Sequence, residues 1–205
     1  MISVIIPYVK DRYLGDAMMS VRMQTYEDWE IIPVCGDRTQ GENINRGLRN
    51  AEGEYIKILH DDDTLPRTSL QDLYDGIQGY DWVCGDHETF GDDVFCPNPG
   101  IYKGRLPVLE EMLKGNYIGG GTTLYRKDIL LEVGGYDVTL FTGEEYDLHL
   151  KLLYNGYKCN YIPKVVHNYR LHGYNKSYSA GPDERKWRQE YIREIAKKYD
   201  RGNNI

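Results

Sequence analysis

The sequence is poor in several features that define common protein classes. It has only four cysteines among 205 residues, and no two of them have the Cys-x-x-Cys spacing of a zinc ribbon or redox motif. Reduced thiols in a reducing compartment fit this scatter best. No hydrophobic run approaches the roughly 20 residues that cross a bilayer, and the start lacks the basic residues of a secretory signal. We therefore expect a cytoplasmic protein without a transmembrane segment.

Positive charge is also scarce. The chain has 25 Lys and Arg against 32 Asp and Glu, a net charge of −7, and no basic run. This balance argues against nucleic acid as a partner. The aromatic residues are uneven as well, with 19 Tyr and 3 Phe. Most of the tyrosines are expected at the surface and the core rim, but some could stack on a sugar or a base, since each offers an apolar face with a polar tip.

Apolar runs and helical spacing alternate in the first third of the chain. The runs at residues 3–6, 29–34 and 55–59 are typical of strands covered on both faces. Together with the helical patterns between them they predict a parallel sheet with right-handed crossovers. We therefore expect an α/β fold: a single Rossmann-like domain with a mostly parallel, mixed central sheet flanked by helices. Such sheets bind ligands at the carboxyl ends of their strands.

The second half of the chain is less regular. Two strand-like segments are predicted at 157–162 and 165–170, and Trp187, Tyr191 and Ile195 recur at the spacing of an amphipathic helix. We expect one domain over residues 1–180, followed by a helix at 181–205. That helix would pack on the domain or on a further module of a longer chain.

The strongest local signal is the acidic run from His60 to Asp63, directly after an apolar strand. Neighbouring carboxylates at a strand end repel one another unless a cation or hydrogen bonds compensate. Carboxylate oxygens are also the hard ligands that Mg²⁺ and Mn²⁺ prefer. The run therefore predicts a metal site, or alternatively a solvated acidic turn that caps the helix beginning near Pro66.

Three further segments carry residues that could do chemistry. Glu144, Glu145 and Asp147 could supply a general base, although acids in a first helical turn also favour the helix dipole. Arg170 and His172 share a strand face. They could offer a cation to phosphate and an imidazole to a metal, or be ordinary surface or core residues. The glycines at 119–121 give backbone that could approach a ligand closely, or form a plain loop.

Taken in order, these motifs resemble a known family. The series covers the chain from Ile2 to about Ser179: Ser3–Pro7, Asn45–Leu48, Ala51–Ile56, Leu59–Pro66, Gly134–Asp137, Gly143–Leu148 and Tyr169–His172. It is similar to the family 2 glycosyltransferases of GT-A fold, which are inverting, metal-dependent enzymes that use nucleotide sugars. The resemblance implies a nucleotide-binding half at about 1–90 and an acceptor half at about 91–180.

The resemblance also assigns the metal and the base. The family's acidic metal motif falls on His60–Asp63, with His60 in place of its first aspartate. Metal binding would therefore rest on Asp62, assisted by Asp61 or Asp63, and His172 would complete the metal shell. The family's Glu-Asp pair falls on Glu144 and Glu145. Glu145 is then the candidate base, one methylene longer than aspartate, with Asp147 as its rival.

Substrate-binding residues follow by the same correspondence. The donor and its nucleotide are expected at Pro7, Tyr8, Val9, Asp37, Asn45, Asp61 and Arg170. The acceptor is expected at Gly120, Gly121, Thr122 and Tyr146. Two donor-side positions depart from the family pattern: Cys35-Gly36-Asp37 replaces Asp-Asp-Gly, and Ile44 replaces an arginine.

The function that the resemblance implies is sugar transfer. A sugar would pass from a UDP- or GDP-linked donor to a hydroxyl of a glycan or glycoprotein with inversion, assisted by Mn²⁺ or Mg²⁺. One alternative is a non-catalytic module that binds nucleotide sugars. A sugar-nucleotide pyrophosphorylase is less well supported, because the segment after the first strand lacks the Gly-rich loop such an enzyme needs.

Overall fold

The computed structural model describes residues 1–36, 38–91, 94–175, 182–200 and 202. Its strands are β1 (Ile2–Tyr8), β2 (Trp29–Cys35), β3 (Tyr55–Ile58), β4 (Trp82–Gly91), β5 (Ile101–Tyr102), β6 (Thr123–Arg126) and β7 (Cys159–Leu171). Its helices are α1 (Leu14–Arg22), α2 (Gln40–Asn50), α3 (Ser69–Ile77), α4 (Leu109–Met112), α5 (Lys127–Glu132), α6 (Glu144–Tyr154) and α7 (Pro182–Lys197).

These strands form one mixed sheet in the order β2-β1-β3-β6-β4-β5, with β7 also paired to β4. The pairs β1–β2, β1–β3 and β4–β7 are parallel, whereas β6 and β5 run against their neighbours. Five of the seven described strands therefore point the same way. The expected α/β domain with a mixed central sheet flanked by helices is confirmed.

Alternation along β1 shows how the sheet divides the core. Ile5 packs with Ile44 and Leu48 of α2 on one face. Val4 and Ile6 pack on the other face, in the cluster that contains residues of α1 and α3. Because successive strand residues point to opposite faces, a continuous apolar run is what a strand covered on both sides requires.

The C-terminal half departs from the expected pattern in one element. The two predicted strands at 157–162 and 165–170 form a single strand, β7. Its pairing with β4 shifts register between Cys84 and His87. The shift accommodates Pro163, whose ring nitrogen cannot donate to the ladder.

Helix α7 contacts α6 of the domain. Ile195 is buried in the same core cluster as Leu148 and Leu152 of α6. Within the described ranges, no helix combines the length and the apolar character needed to cross a bilayer.

Candidate active site

A cleft of about 1020 Å³ opens at the carboxyl ends of β1, β3 and β7, at the edge of the sheet where the fold class predicts a ligand. Its size is that of a typical small-molecule site. The predicted residues that line it are Pro7, Tyr8, Val9, His60, Asp61, Asp62, Gly120, Glu144, Glu145 and His172. The cleft therefore brings together the acidic run after β3 and the first turn of α6.

The carboxylate of Asp62 faces the cleft and has two hydrogen-bond partners there. Its Oδ2 accepts hydrogen bonds from His172 Nε2 at 3.0 Å and Asn175 Nδ2 at 3.4 Å. The other ring nitrogen of His172 accepts from the Tyr174 backbone N–H at 3.1 Å. Asp62 and His172 thus form a carboxylate–imidazole pair at the cleft wall, with the Asp62 side chain 25% exposed.

Asp63, the next residue, is fully buried and points into the protein. Its Oδ2 accepts from His167 Nε2 at 2.9 Å, and its Oδ1 accepts from the Arg170 backbone N–H at 2.8 Å. Since both oxygens are engaged by β7, Asp63 fastens the segment after β3 to the sheet. It does not line the cleft.

Asp61 lines the cleft beside Asp62. Burial and the neighbouring Asp62 charge raise the pKa of Asp61 to about 6. The contribution from Asp62 is the carboxylate repulsion expected from the sequence, and a cation would relieve it.

Glu145 projects into the cleft from the first turn of α6. Its Oε1 accepts hydrogen bonds from His60 Nε2 at 2.8 Å and Gln40 Nε2 at 3.2 Å. Burial alone would raise the pKa of Glu145, but the hydrogen bond and charge of His60 lower it to about 2. Burial likewise opposes protonation of His60, yet Glu145 raises the His60 pKa to about 10. The two side chains therefore form an ion pair at the cleft wall.

Asp147, the rival base, lies outside the cleft. It is 1% exposed, accepts a hydrogen bond from Tyr199 Oη at 2.8 Å, and lies 3.4 Å from Lys198 Nζ. Lys151 is at 3.7 Å on the same helix. Asp147 therefore joins α6 to the C-terminal segment, whereas Glu144 and Glu145 line the cleft.

Arg170 supports the wall of the cleft through the backbone of Asp62. Its Nε donates to the Asp62 carbonyl oxygen at 2.7 Å, and its guanidinium also pairs with Asp16 at 2.8 Å. The guanidinium lies over the rings of Tyr13 and Phe90, at 4.5 and 4.6 Å from their centroids. Arg170 thus supports the backbone of Asp62 but does not line the cleft, unlike the donor-binding role expected for it.

Several other residues expected to bind substrate also make hydrogen bonds within the protein and lie outside the cleft. Asn45 is held by Tyr136, through a donated bond of 2.8 Å and an accepted bond of 2.9 Å. Thr122 donates to the Gly119 carbonyl at 2.8 Å, and Tyr146 donates to the Met112 carbonyl at 2.6 Å. None of Asn45, Gly121, Thr122 and Tyr146 lines the cleft. Asp37 lies outside the described residues.

A buried lysine supports the glycine loop from beneath. Lys57 is fully buried on β3, and its Nζ donates to the carbonyl oxygens of Gly121 and Thr123. Burial lowers the pKa of Lys57 to about 7. Gly121 has φ +75°, and a Cβ there would lie 2.5 Å from the His167 ring. The loop is therefore fixed at Gly121 by both conformation and packing.

Sequence reasoning missed the basic and aromatic lining of the cleft. The missed basic and aromatic residues are Lys10, Arg12, Tyr13, Arg38, His87, Phe141, Tyr169, Tyr174 and Arg188, and the amide of Gln40 was missed as well. Lys10 and Arg12 follow β1 directly, so their place after a parallel strand is a signal that could have identified them. Arg188 comes from α7, far away in sequence, and has no such signal.

Histidine is concentrated around this site. Three of the five histidines, His60, His87 and His172, line the cleft. The other two, His149 and His167, are fully buried. His149 Nε2 bonds to Tyr125 Oη at 2.7 Å behind the wall, and burial lowers the His149 pKa to about 4.

Comparisons with known proteins agree with this arrangement. Residues 36–134 match the model of the family described as Glycosyl transferase family 2. The match covers 99 of the 205 residues, so the chain is similar to that family over just under half of its length. The matched segment includes the acidic run after β3 and the glycine loop, whereas β1 and α6 fall outside it.

Curated relatives of this chain are glycosyltransferases by name. A glucosyl-dolichyl phosphate glucuronosyltransferase of Haloferax volcanii is 24% identical, over 72% of this chain and 58% of that protein. An uncharacterized glycosyltransferase of Rickettsia typhi is 25% identical, over 75% of this chain and 58% of that protein. The chain thus spans somewhat more than half the length of these relatives.

Solved structures share the fold. The S. aureus TarS 1–349 structure has a TM-score of 0.67 at 17% identity and covers 82% of this chain and 60% of that one. Its complex with UDP-GlcNAc has a TM-score of 0.71 at 16% identity, covering 88% of this chain and 61% of that one. At this identity the likeness establishes the fold.

Proposed function

We propose that this chain transfers a sugar from a UDP- or GDP-linked donor to a hydroxyl of a glycan or glycoprotein acceptor, with inversion. The observation that carries the proposal is that Asp62 and Glu145, 83 positions apart in the sequence, face the same cleft. The family match and the names of the relatives support it. TarS, whose fold is similar, has been solved with UDP-GlcNAc and with UDP.

The donor would lie along the end of β1. Pro7, Tyr8 and Val9 line the cleft there and would contact the nucleoside. Lys10 and Arg12, in the same segment, give this acidic protein local positive charge for a diphosphate. The proposed nucleotide side thus belongs mainly to residues 1–90, and the acceptor side to residues 91–180.

The residues present fit a divalent cation. One ligand atom from each of His60, Asp62 and Asp63 can be chosen so that all lie within 4.8 Å of one another. Since both Asp63 oxygens are engaged by β7 and His60 pairs with Glu145, we assign the metal to the carboxylates of Asp62 and Asp61. His172, whose Nε2 donates to Asp62, would join them as a ligand when that nitrogen gives up its proton and exchanges this bond for the cation. Carboxylate and imidazole ligands suit Mn²⁺ well and Mg²⁺ through the carboxylates. Such a cation, when bound, would neutralise charge on the departing diphosphate.

Glu145 would act as the base. Its carboxylate takes the proton of the acceptor hydroxyl, whose oxygen then attacks the anomeric carbon from the face opposite the leaving diphosphate. One displacement of this kind inverts the configuration. Gly120 lies beside Glu145, since a Cβ at Gly120 would be 3.8 Å from the Glu145 carboxyl carbon. The absence of a side chain there leaves room for the acceptor.

One aromatic side chain, Phe141, lines the cleft near the proposed acceptor entrance, and two more pack behind it. Phe141, exposed at the cleft, packs edge-on to Trp187 at 6.4 Å, and Trp187 stacks on Tyr191 at 5.3 Å. Exposed aromatic faces of this kind suit the C–H faces of a sugar ring. They favour a glycan as the acceptor.

One observation favours a second candidate, a non-catalytic module that binds nucleotide sugars. The bond from His60 holds the pKa of Glu145 low, which weakens Glu145 as a base. A module of this kind would bind the donor with the metal and leave it intact.

Calorimetry and a turnover assay test both candidates. We expect UDP or GDP to bind with Mn²⁺ and to lose binding in excess chelator. We also expect the wild-type protein to release nucleotide from one member of a nucleotide-sugar panel, to water or to a glycan. Metal-dependent binding without turnover would support the module, and equal binding in chelator would contradict the metal assignment.

A further inference from the structure

We propose that His60 is a positioning residue for Glu145 and that the two form a matched pair. The inference rests on the proposed function, because it concerns the base of that reaction. It assigns His60 a task toward the acceptor side of the cleft, in addition to any task toward a metal.

The contact is direct and made by one ring nitrogen. His60 Nε2 donates to Glu145 Oε1 at 2.8 Å, while Gln40 Nε2 reaches the same oxygen at 3.2 Å. The other ring nitrogen of His60 lies 3.8 Å from Asp63 Oδ2. The His60 ring therefore spans the space between a buried, fixed carboxylate and Glu145. It can transmit the position of Asp63 to Glu145.

Both members of the pair are departures from the family pattern described above. Histidine stands where that pattern has aspartate, and Glu145 is one methylene longer than the usual aspartate. Aspartate at 145 would end about 1.5 Å short of the His60 ring. Aspartate at 60 would instead present a second negative charge to Glu145. Either change alone removes the bond, whereas the two changes together restore the family's own combination.

Two amide variants test the contact at the atomic level. The amide nitrogen of glutamine can occupy the place of the histidine Nε2, whereas that of asparagine falls near Nδ1. We therefore expect His60→Gln to retain kcat within about threefold. His60→Asn is expected to lower kcat on the order of 10- to 100-fold at unchanged donor KM. If the two variants lose kcat equally, the proposed contact is not the one that matters.

A double-mutant cycle tests the matching. The proteins are wild type, His60→Asp, Glu145→Asp and the double variant. We expect each single variant to lose kcat on the order of 10- to 100-fold, and the double variant to turn over faster than either single variant. Losses that multiply independently would overturn the proposal.

Mn²⁺ titration of the same proteins without donor separates positioning from metal binding. If His60 serves only as a metal ligand, His60→Gln and His60→Asn should both weaken Mn²⁺ binding and raise donor KM. Melting temperatures show whether each variant is folded.

The cycle also distinguishes failure of this inference from failure of the proposed function. If the wild-type protein turns over no nucleotide sugar, the proposed function fails. The same four proteins still test the pair, since a matched contact appears as coupling in the free energy of unfolding. Coupling absent from both kcat and stability would refute the pairing itself.

Discussion

Two acidic segments meet at the cleft, and each divides its carboxylates between the cleft and the scaffold. After β3, Asp62 faces the cleft while Asp63 is bound by His167 inside the sheet. At the start of α6, Glu145 faces the cleft while Asp147 is bound by Tyr199. In both segments the inward carboxylate is held by a residue distant in sequence, and its neighbour is left for a ligand.

The two segments differ in what holds the cleft-facing carboxylate. Asp62 is held by His172 and Asn175, which come from the end of β7 and just beyond it. Glu145 is held by His60, which belongs to the other acidic segment. The proposed base therefore depends on the segment after β3 for its position, whereas Asp62 has no bond to α6 among its described partners. Substitutions of His60 should therefore affect both the proposed metal side and the proposed acceptor side of the cleft.

The largest effect is expected when the two α6 carboxylates are compared. Glu145→Gln should lower kcat by about 10²- to 10⁴-fold, because the amide cannot accept the acceptor proton. Nucleotide affinity, measured by calorimetry, should not change. Asp147→Asn should retain kcat within about threefold and instead lower the melting temperature, because it weakens the bond from Tyr199. Reversed outcomes would make Asp147 the base.

Substitutions of the two carboxylates after β3 should likewise have different effects, one on metal binding and the other on stability. Asp62→Asn should weaken Mn²⁺-dependent nucleotide binding by at least about tenfold, with little change in stability. Asp63→Asn should lower the free energy of unfolding by about 2–4 kcal/mol, because its partners are buried. Calorimetry and urea unfolding measure the two effects. If Asp63→Asn is as stable as the wild type but no longer binds the metal, then Asp63 is the metal ligand and Asp62 is not.

Neighbouring glycines extend the comparison to the loop. Gly121→Ala should cost about 1–3 kcal/mol of stability, because φ is +75° and the Cβ would clash with His167. Gly120→Ala meets only ordinary contacts with His60 and Glu145. It should preserve stability and lower kcat several-fold by crowding the acceptor. Urea unfolding and kcat measurements on both variants check this distinction. An equal loss of stability in the two variants would contradict it.

The last prediction concerns the pH dependence of stability. The pKa of Lys57 falls from 10.5 to about 7 on folding, so the unfolded chain binds more protons between those values. The free energy of unfolding should therefore rise with pH there, by at most about 1.4 kcal/mol per pH unit from this group. Lys57→Met should flatten the slope between about pH 7 and about pH 9.5, and Lys197→Met should not.

Local pattern was enough to predict the sheet and the position of the cleft. The apolar runs before Pro7 and His60 fix the ends of β1 and β3, and ligand sites follow strand ends by geometry. The motifs also located both acidic segments. These features depend only on short stretches of chain, so they can be predicted from a single sequence.

Choosing residues within a motif required tertiary information. Asp63 and Asp147 are as acidic as their neighbours, and only His167 and Tyr199 show them to be internal. Asn45 matches the family motif but bonds to Tyr136, 91 positions later. At His60 the sequence showed a missing aspartate, while the structure shows a partner for Glu145, 85 positions away. No local signal carries such contacts.

The concentration of histidine around one cleft has a practical consequence. The imidazole proton resonances of this protein come from only five rings, and three of those rings line the cleft itself. In an NMR titration, most of the histidine signals would therefore report on the cleft. Mn²⁺ would broaden the His172 signals first if Asp62 and His172 hold it, and a diamagnetic acceptor sugar would move His60 instead.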